Sequence, residues 1–402
     1  MRELKILFGY EMKKIFLRKL TWAVFAVTLI ACVGPALGSF LGTGIIVDGL
    51  KISSAKLLQM DMQNKEKLAG RWIDQTLLEE TMQGYAMSSK DLSSYNAMME
   101  YLKYSRPYQP IYNFVRSNSN MNWSEISNWK ADEADLYARR LAMLEELYYS
   151  YQLSAQEKEF WREKESHFQW PVRFEITESY HGLFYTLSTL CFIVPICLSI
   201  CLSNVFAEEH LRRVDQLILC GRRGLSTVYW AKISAGVSFA VLYSLGTSLM
   251  AFLPCLIIYG TDGFHAAFQL IYARYSLPLT AGEASLIMYG ILVIASVLFA
   301  VIIMEISEAA HSGVAALSVV AVYIVTAMIY SVPGKYRILA QIWDWLPGSF
   351  VVPQNIFDLR MISVFGKLFL SWQVVPVIYL IAAAGIAMAG IPIYRKYQVS
   401  GR

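Results

Sequence analysis

Apolar residues fall in six long runs, at about 20–41, 180–206, 228–259, 284–304, 314–331 and 373–393, with one broad polar stretch, 45–178, between the first two. Each run approaches or exceeds the roughly 20 residues a helix needs to cross a bilayer. The pattern therefore predicts six transmembrane helices. Ahead of the first run, Leu4, Leu7, Phe8, Met12, Ile15 and Phe16 recur at helical spacing among Lys5, Lys13, Lys14, Arg18 and Lys19. That spacing predicts an amphipathic helix over 1–19, its apolar side in lipid and its lysines among headgroups. A basic start before an apolar run also fits a secretory leader. The long amphipathic start, the near-spanning run and the lack of a small-x-small cleavage pattern favour a retained first span.

The polar stretch reads as a mostly helical domain. Leu57, Leu58, Met62, Leu68, Trp72, Ile73, Leu77 and Leu78 predict one helix over Ile52 to Met82, and a second runs from Leu92 to Tyr104, ended by Arg106-Pro107. A third is expected from Ser127 to Tyr151. Ser154-Ala-Gln-Glu157 forms a capping box that opens a fourth through Trp161, stopped by Pro171. Only Val172 to Ile176 carries a strand signal. The expected class is an all-α integral membrane protein with a helical domain inserted between its first two spans.

Beyond the fifth run, Ile342-Trp-Asp-Trp-Leu-Pro-Gly-Ser-Phe-Val-Val-Pro353 is aromatic and broken by Pro and Gly, and Ile356 to Leu370 is too charged to span. Short helices dipping into the outer leaflet over about 338–370, with Trp343 and Trp345 at the interface, suit that composition, and an ordinary surface loop with an interfacial aromatic anchor suits it equally.

Composition agrees with the pattern: 56% of the 402 residues are hydrophobic and 16% charged, and the mean hydropathy is +0.40. A net charge of +4 is too small and too scattered for a nucleic-acid partner. None of the six cysteines lies in 45–178, so that domain is held by packing alone. Cys191, Cys197 and Cys201 share one apolar run and read as small buried hydrophobes. Six Lys and Arg precede the first run, five lie in 206–232 and three follow Ile393, against one in 260–283 and four in 332–372. The positive-inside rule then places both termini, including the tail 394–402, in the cytoplasm of a multi-pass plasma-membrane protein, and 45–178 outside.

Catalytic signatures are missing. The chain has no Walker A pattern, no His-Glu-x-x-His and no Gly-x-Ser-x-Gly, so it is read as no enzyme, with no cofactor and no metal. Glu305, Glu308 and His311 share one helical face but fall at the end of a span, where solvation suits them.

What stands out is Val205 to Lys232, a charged segment between two apolar runs. Helical spacing puts Val214, Leu217 and Ile218 on one side and Glu209, Arg212, Arg213 and Gln216 on others, a pattern that lies on a membrane or in a protein groove. Phe206-Ala-Glu-Glu209, then Asp215-Gln-Leu-Ile-Leu-Cys-Gly-Arg222, then Ala231-Lys232 resembles the coupling region of type-2 ABC exporter permeases, as found in Gram-positive bacteria. The order of elements is similar too: an elbow helix, six spans and a broken outer segment before the last. Two departures stand against the match. Arg213-Val214 replaces the usual Gly-Thr, and the outer domain is larger than in minimal members.

The resemblance implies a permease subunit forming half of a translocation path, paired with a second permease, identical or not, and with cytoplasmic ABC ATPase subunits. Its coupling helix would span about 207–225, with Glu208, Glu209, Arg212, Arg213, Asp215, Leu217, Gly221 and Arg222 as coupling residues. Glu11, Lys13 and Lys14 would serve in the elbow. A receptor or structural protein that binds a partner through 45–178 is the alternative. An intramembrane enzyme lacks polar groups inside the spans, and a four-span mechanotransmitter lacks the six runs.

Overall fold

The computed structural model describes residues 2–42, 44–88, 91–211 and 224–396. Helix α1, Arg2–Leu17, meets α2, Lys19–Gly42, at Arg18 with a bend of 63°. Thr21 donates its hydroxyl to Ile15 O (2.8 Å), satisfying a carbonyl that the break would leave open. The face of α1 expected in lipid instead packs inward: Ile15 is buried, Leu4, Leu7 and Phe8 are half-buried, and Phe16 meets Phe239 edge-on at 5.4 Å.

Strands β1, Ile45–Val47, and β2, Leu50–Ile52, form a hairpin closed by Asp48-Gly49, both with positive φ (43° and 82°). That is the two-residue turn whose backbone twist matches paired strands. The single helix expected over 52–82 is two, α3, Ser54–Leu68, and α4, Gln75–Ala86. Gly70 takes φ +83° after α3, and 71–73 runs extended beside 172–174, with Ile73 N–H donating to Val172 O and Phe174 N–H to Arg71 O, both 2.8 Å. Asp74 then caps α4. The strand expected at Val172 to Ile176 is thus only a bridge, Trp72 to Arg173.

Helix α5, Tyr95–Glu100, does not end at Arg106-Pro107. It passes through a π turn, Tyr101–Ser105, and a 3-10 turn, Arg106–Tyr108, into α6, Gln109–Ser119, because Pro107 and Pro110 occupy first-turn positions where no N–H is required. Helices α7, Trp123–Asn128, and α8, Glu133–Ser150, replace the third expected helix, and α9, Ala155–Ser166, carries the Ser154–Glu157 capping box.

Then come α10, Glu178–Leu202; α11, Asn204–Leu211; α12, Gly224–Tyr259; α13, Ala281–Ala309; and α14, Gly313–Ile329. Short helices α15, Arg337–Asp344, α16, Pro347–Phe350, and α17, Pro353–Ile356, precede a second hairpin, β3, Met361–Val364, and β4, Lys367–Leu370, and the final helix α18, Ser371–Lys396. Short helices were expected over 338–370, but the hairpin was not. Among the described residues, four helices are long and apolar enough to cross a membrane, at Glu178–Glu209, Ser226–Tyr259, Ala281–Ala309 and Ser371–Tyr394. The bent pair α1–α2 makes a fifth if counted as one span. Helix α14 is apolar but has 17 residues, about 26 Å of rise against a hydrocarbon core of roughly 30 Å.

The chain divides into two compact units. One comprises 34–184 and 252–286. Its core is Ile73, Leu77, Leu78, Ile111, Val115 and Leu136, all fully buried where α4, α6, α7 and α8 meet. Arg140, also fully buried, gives a fork to Glu165 (2.8 and 3.1 Å), reaches Asn118 Oδ1 (2.6 Å) and Ala273 O (2.5 Å), and lies over the Phe168 ring at 4.8 Å. A buried guanidinium persists only when its donors are met, and here three separate segments meet them.

The other unit comprises 1–33, 185–251 and 287–402. In it, Arg360 joins Asp358 (2.7 Å) and Asp344 (2.5 Å), Tyr379 donates to Trp345 O (2.5 Å), and Gly348 N–H donates to Tyr323 Oη (3.0 Å). These bonds seat α15 and α16 against α14 and α18. Cys32, Cys191, Cys197 and Cys201 are buried cysteines outside any disulfide, as is Cys255 of the first-described unit.

Candidate functional site

Three helix ends of the second-described unit converge on one lysine. On α12 the positions facing inward are Tyr229, Lys232, Ile233, Gly236 and Phe239, a helical stripe in which Lys232 is the one charged member and is fully buried. On α1 the inward stripe Leu4, Leu7, Phe8, Glu11, Ile15 likewise holds one charge, Glu11. Both helices put a charge on the face that packs, so the charges must meet partners there.

They meet each other. Lys232 Nζ donates to Glu209 Oε1 (2.7 Å), Val205 O (3.0 Å) and Glu11 Oε2 (3.3 Å), which uses all three ammonium protons. It also lies over the Phe206 ring at 5.5 Å. Lys14 Nζ closes the ring from the other side, to Glu11 Oε1 (2.7 Å) and Glu209 Oε1 (3.3 Å). Signs alternate around the four groups, with the side chains of Lys232, Glu11 and Glu209 exposed by 0%, 9% and 15%. Burial works against the charge of Lys14, but Glu11 and Glu209 outweigh it and hold this interfacial ammonium above the usual lysine range.

Arg18, at the bend between α1 and α2, donates to the carbonyls of Cys201 (3.3 Å) and Asn204 (3.2 Å) and pairs with Glu208. These carbonyls flank the break between α10 and α11, where a helix end leaves acceptors unmet and favours a cation. Six charges, three of each sign, therefore lock the end of α1, the α10–α11 break and the start of α12.

Below this lock Tyr229 gathers further elements. Its ring packs on Phe206 (5.9 Å) and Tyr394 (5.5 Å), and its hydroxyl meets Glu305 Oε1 at 2.5 Å and the carbonyl of Ala387. Gly313 at the head of α14 lies so close to Asn204 that a Cβ would stand 2.1 Å from Oδ1. Glu305 and Glu308, expected at a solvated helix end, are both buried because α13 runs on to Ala309 inside this packing; His311 is exposed.

Of the residues singled out in the sequence, Glu208, Glu209, Glu11 and Lys14 come together. Lys13 is exposed and takes no part in the network described. Arg212, Arg213, Asp215, Leu217, Gly221 and Arg222 lie outside the described residues, as does most of the expected coupling helix. Lys232, Arg18, Tyr229 and Glu305 were not anticipated as members. The usable signal was a charge standing alone in an apolar stripe, present in both α1 and α12. Among the described residues no group of three or more His, Cys, Asp and Glu side chains is placed to hold a metal ion.

The unit of 34–184 and 252–286 carries a separate cleft of about 710 Å³, lined by Trp72, His167, Phe168, Arg173, Glu175 and His265 among others. No family model, curated protein or solved structure matches the chain.

Proposed function

We propose that this chain is the permease subunit of a type-2 ABC exporter. In this reading six spans form half of a translocation path, both termini are cytoplasmic, and a second permease and separate ABC ATPase subunits complete the machine. The observation that carries it is the six-charge lock on either side of 212–223. A segment that receives force from a partner must be rooted in elements that move with it. Here α11 leads into that segment and α12 leads out, and Lys232, Glu209 and Glu11 tie both to α1. Arg212, Arg213, Asp215, Leu217, Gly221 and Arg222 are the proposed contacts with the ATPase, with Glu208 and Glu209 as their root.

Co-purification tests this. Isolated from its own membranes under mild conditions, the chain should bring down a P-loop ATPase, and charge reversal at Arg212, Arg213 and Arg222 together should remove most of it. Absence of any such ATPase from the wild-type preparation refutes the reading.

A second reading, a receptor acting through 45–178, is favoured by the 710 Å³ cleft, whose size suits a small ligand. It predicts that deleting 45–178 abolishes function while changes in 212–222 leave it intact.

A further inference from the structure

Glu305 sits near the end of α13 with 8% of its surface exposed. The Tyr229 hydroxyl of α12 lies 2.5 Å from its Oε1 and also against the carbonyl oxygen of Ala387 on α18. Its other oxygen, Oε2, is buried with no hydrogen-bond partner. That oxygen is seated on Gly390 of α18, where a Cβ would stand only 1.8 Å away. Three helices thus close on one carboxyl group.

Counting protons decides the charge of that carboxyl. A phenol has one O–H to give, and a backbone carbonyl only accepts. Were Glu305 ionised, Tyr229 would give its proton to the carboxylate, and the Ala387 oxygen would face the phenol oxygen with no hydrogen between them. A partly charged Oε2 would also sit against Gly390 with no donor, the costliest state for a buried oxygen. A neutral acid removes the first fault and lessens the second: Glu305 donates to Tyr229, Tyr229 donates to Ala387, and Oε2, still without a donor, sheds its share of the negative charge.

The surroundings favour the same state. From α12 the titratable groups are Tyr229 and, one turn on, Lys232, which is already bound to Glu11 and Glu209. From α18 comes Tyr394, its ring 5.5 Å from that of Tyr229. On α13 itself Glu308 follows one turn later, fully buried, and His311 is exposed beyond the helix end. Among the described residues no cation is paired with Glu305, and a neighbouring carboxyl opposes a second negative charge.

We propose that Glu305 is a proton-binding site that clamps α12, α13 and α18 together. In the packed state it is a neutral carboxylic acid. On release the O–H bond breaks, the proton passes to water, the electron pair stays on the carboxylate, and the Glu305–Tyr229–Ala387 chain loses its first donor. The site stands apart from the transport reading, since it rests on this packing and not on any partner.

Infrared difference spectra of the full chain in lipid nanodiscs, wild type minus E305Q at neutral pH, read the proton directly. The expected result is a protonated-carboxyl band that E305Q removes. Thermal unfolding gives the second readout. The folded state holds a proton that the unfolded chain releases, so wild-type stability falls as pH rises through the ionisation of Glu305. E305Q, neutral at every pH, should match the wild type at low pH and lose that slope. Should E305Q fail to fold, Y229F replaces it: loss of the phenol acceptor moves the band to higher frequency. A difference spectrum without the band, a slope that survives E305Q, or a band unmoved by Y229F overturns the proposal.

Discussion

Lys232 carries the strongest prediction at the scale of single residues. Its ammonium is fully buried between two carboxylates, and removing one member of such a set leaves uncompensated charge, typically costing about 3–5 kcal/mol. K232M should therefore lower the unfolding temperature of the chain in nanodiscs sharply. The triple variant K232M/E11Q/E209Q, which removes both carboxylates as well and leaves only the exposed ammonium of Lys14 without its partners, should recover much of that loss. Equal stability of K232M and wild type would mean that the ring contributes nothing. These residues were half-legible. Glu11 lies three or four positions from Leu7, Phe8 and Ile15, and a charge in that position calls for a partner, but the sequence does not say which. The pairing crosses more than 200 residues of chain, and only the packing of α1 against α12 selects it.

At the scale of elements, the apolar pattern located helices well and their ends less well. The six runs recur as helices because a run of 17 or more apolar residues has little choice but to satisfy its own backbone. The capping box at Ser154 also held, since its two hydrogen bonds are local. The break between α3 and α4 was lost because Leu68, Ile73, Leu77 and Leu78 are buried alike on one helix or on two joined by an extended corner, while Trp72, read with them, is exposed. Gly70 was its signal. Its φ of +83° strains any other residue, and an added Cβ would meet Arg173 at 3.1 Å. Gly70→Ala is expected to destabilise the chain by about 1–2 kcal/mol, read as a lower unfolding temperature. Gly9→Ala, in open space on α1, is the control and should be neutral or slightly stabilising. The first hairpin was missed, although Asp48-Gly49 between Ile45-Ile46-Val47 and Leu50-Lys51-Ile52 is a strong local turn signal. The second turns on Phe365-Gly366 (φ 50° and 78°), and Phe in a left-handed position gives no such cue.

At the scale of the whole molecule, helices of 24 to 34 residues with almost wholly apolar faces make this a membrane protein. The charge count of its short loops sets the proposed orientation, with 212–223 on the cytoplasmic side. Around that segment the sequence offered a pattern and the fold supplies a foundation: Glu208 and Glu209, read from the sequence as contacts for a partner, are held by Arg18, Lys14 and Lys232 of the same chain. In the proposed reading, the partner-facing role falls to residues further along. A photo-crosslinking side chain at Leu217, introduced in the protein's own cells, tests that most directly. One dominant crosslinked product is expected, identified by mass spectrometry as a P-loop ATPase. Crosslinks to lipid alone, or to proteins without a nucleotide-binding domain, would contradict it.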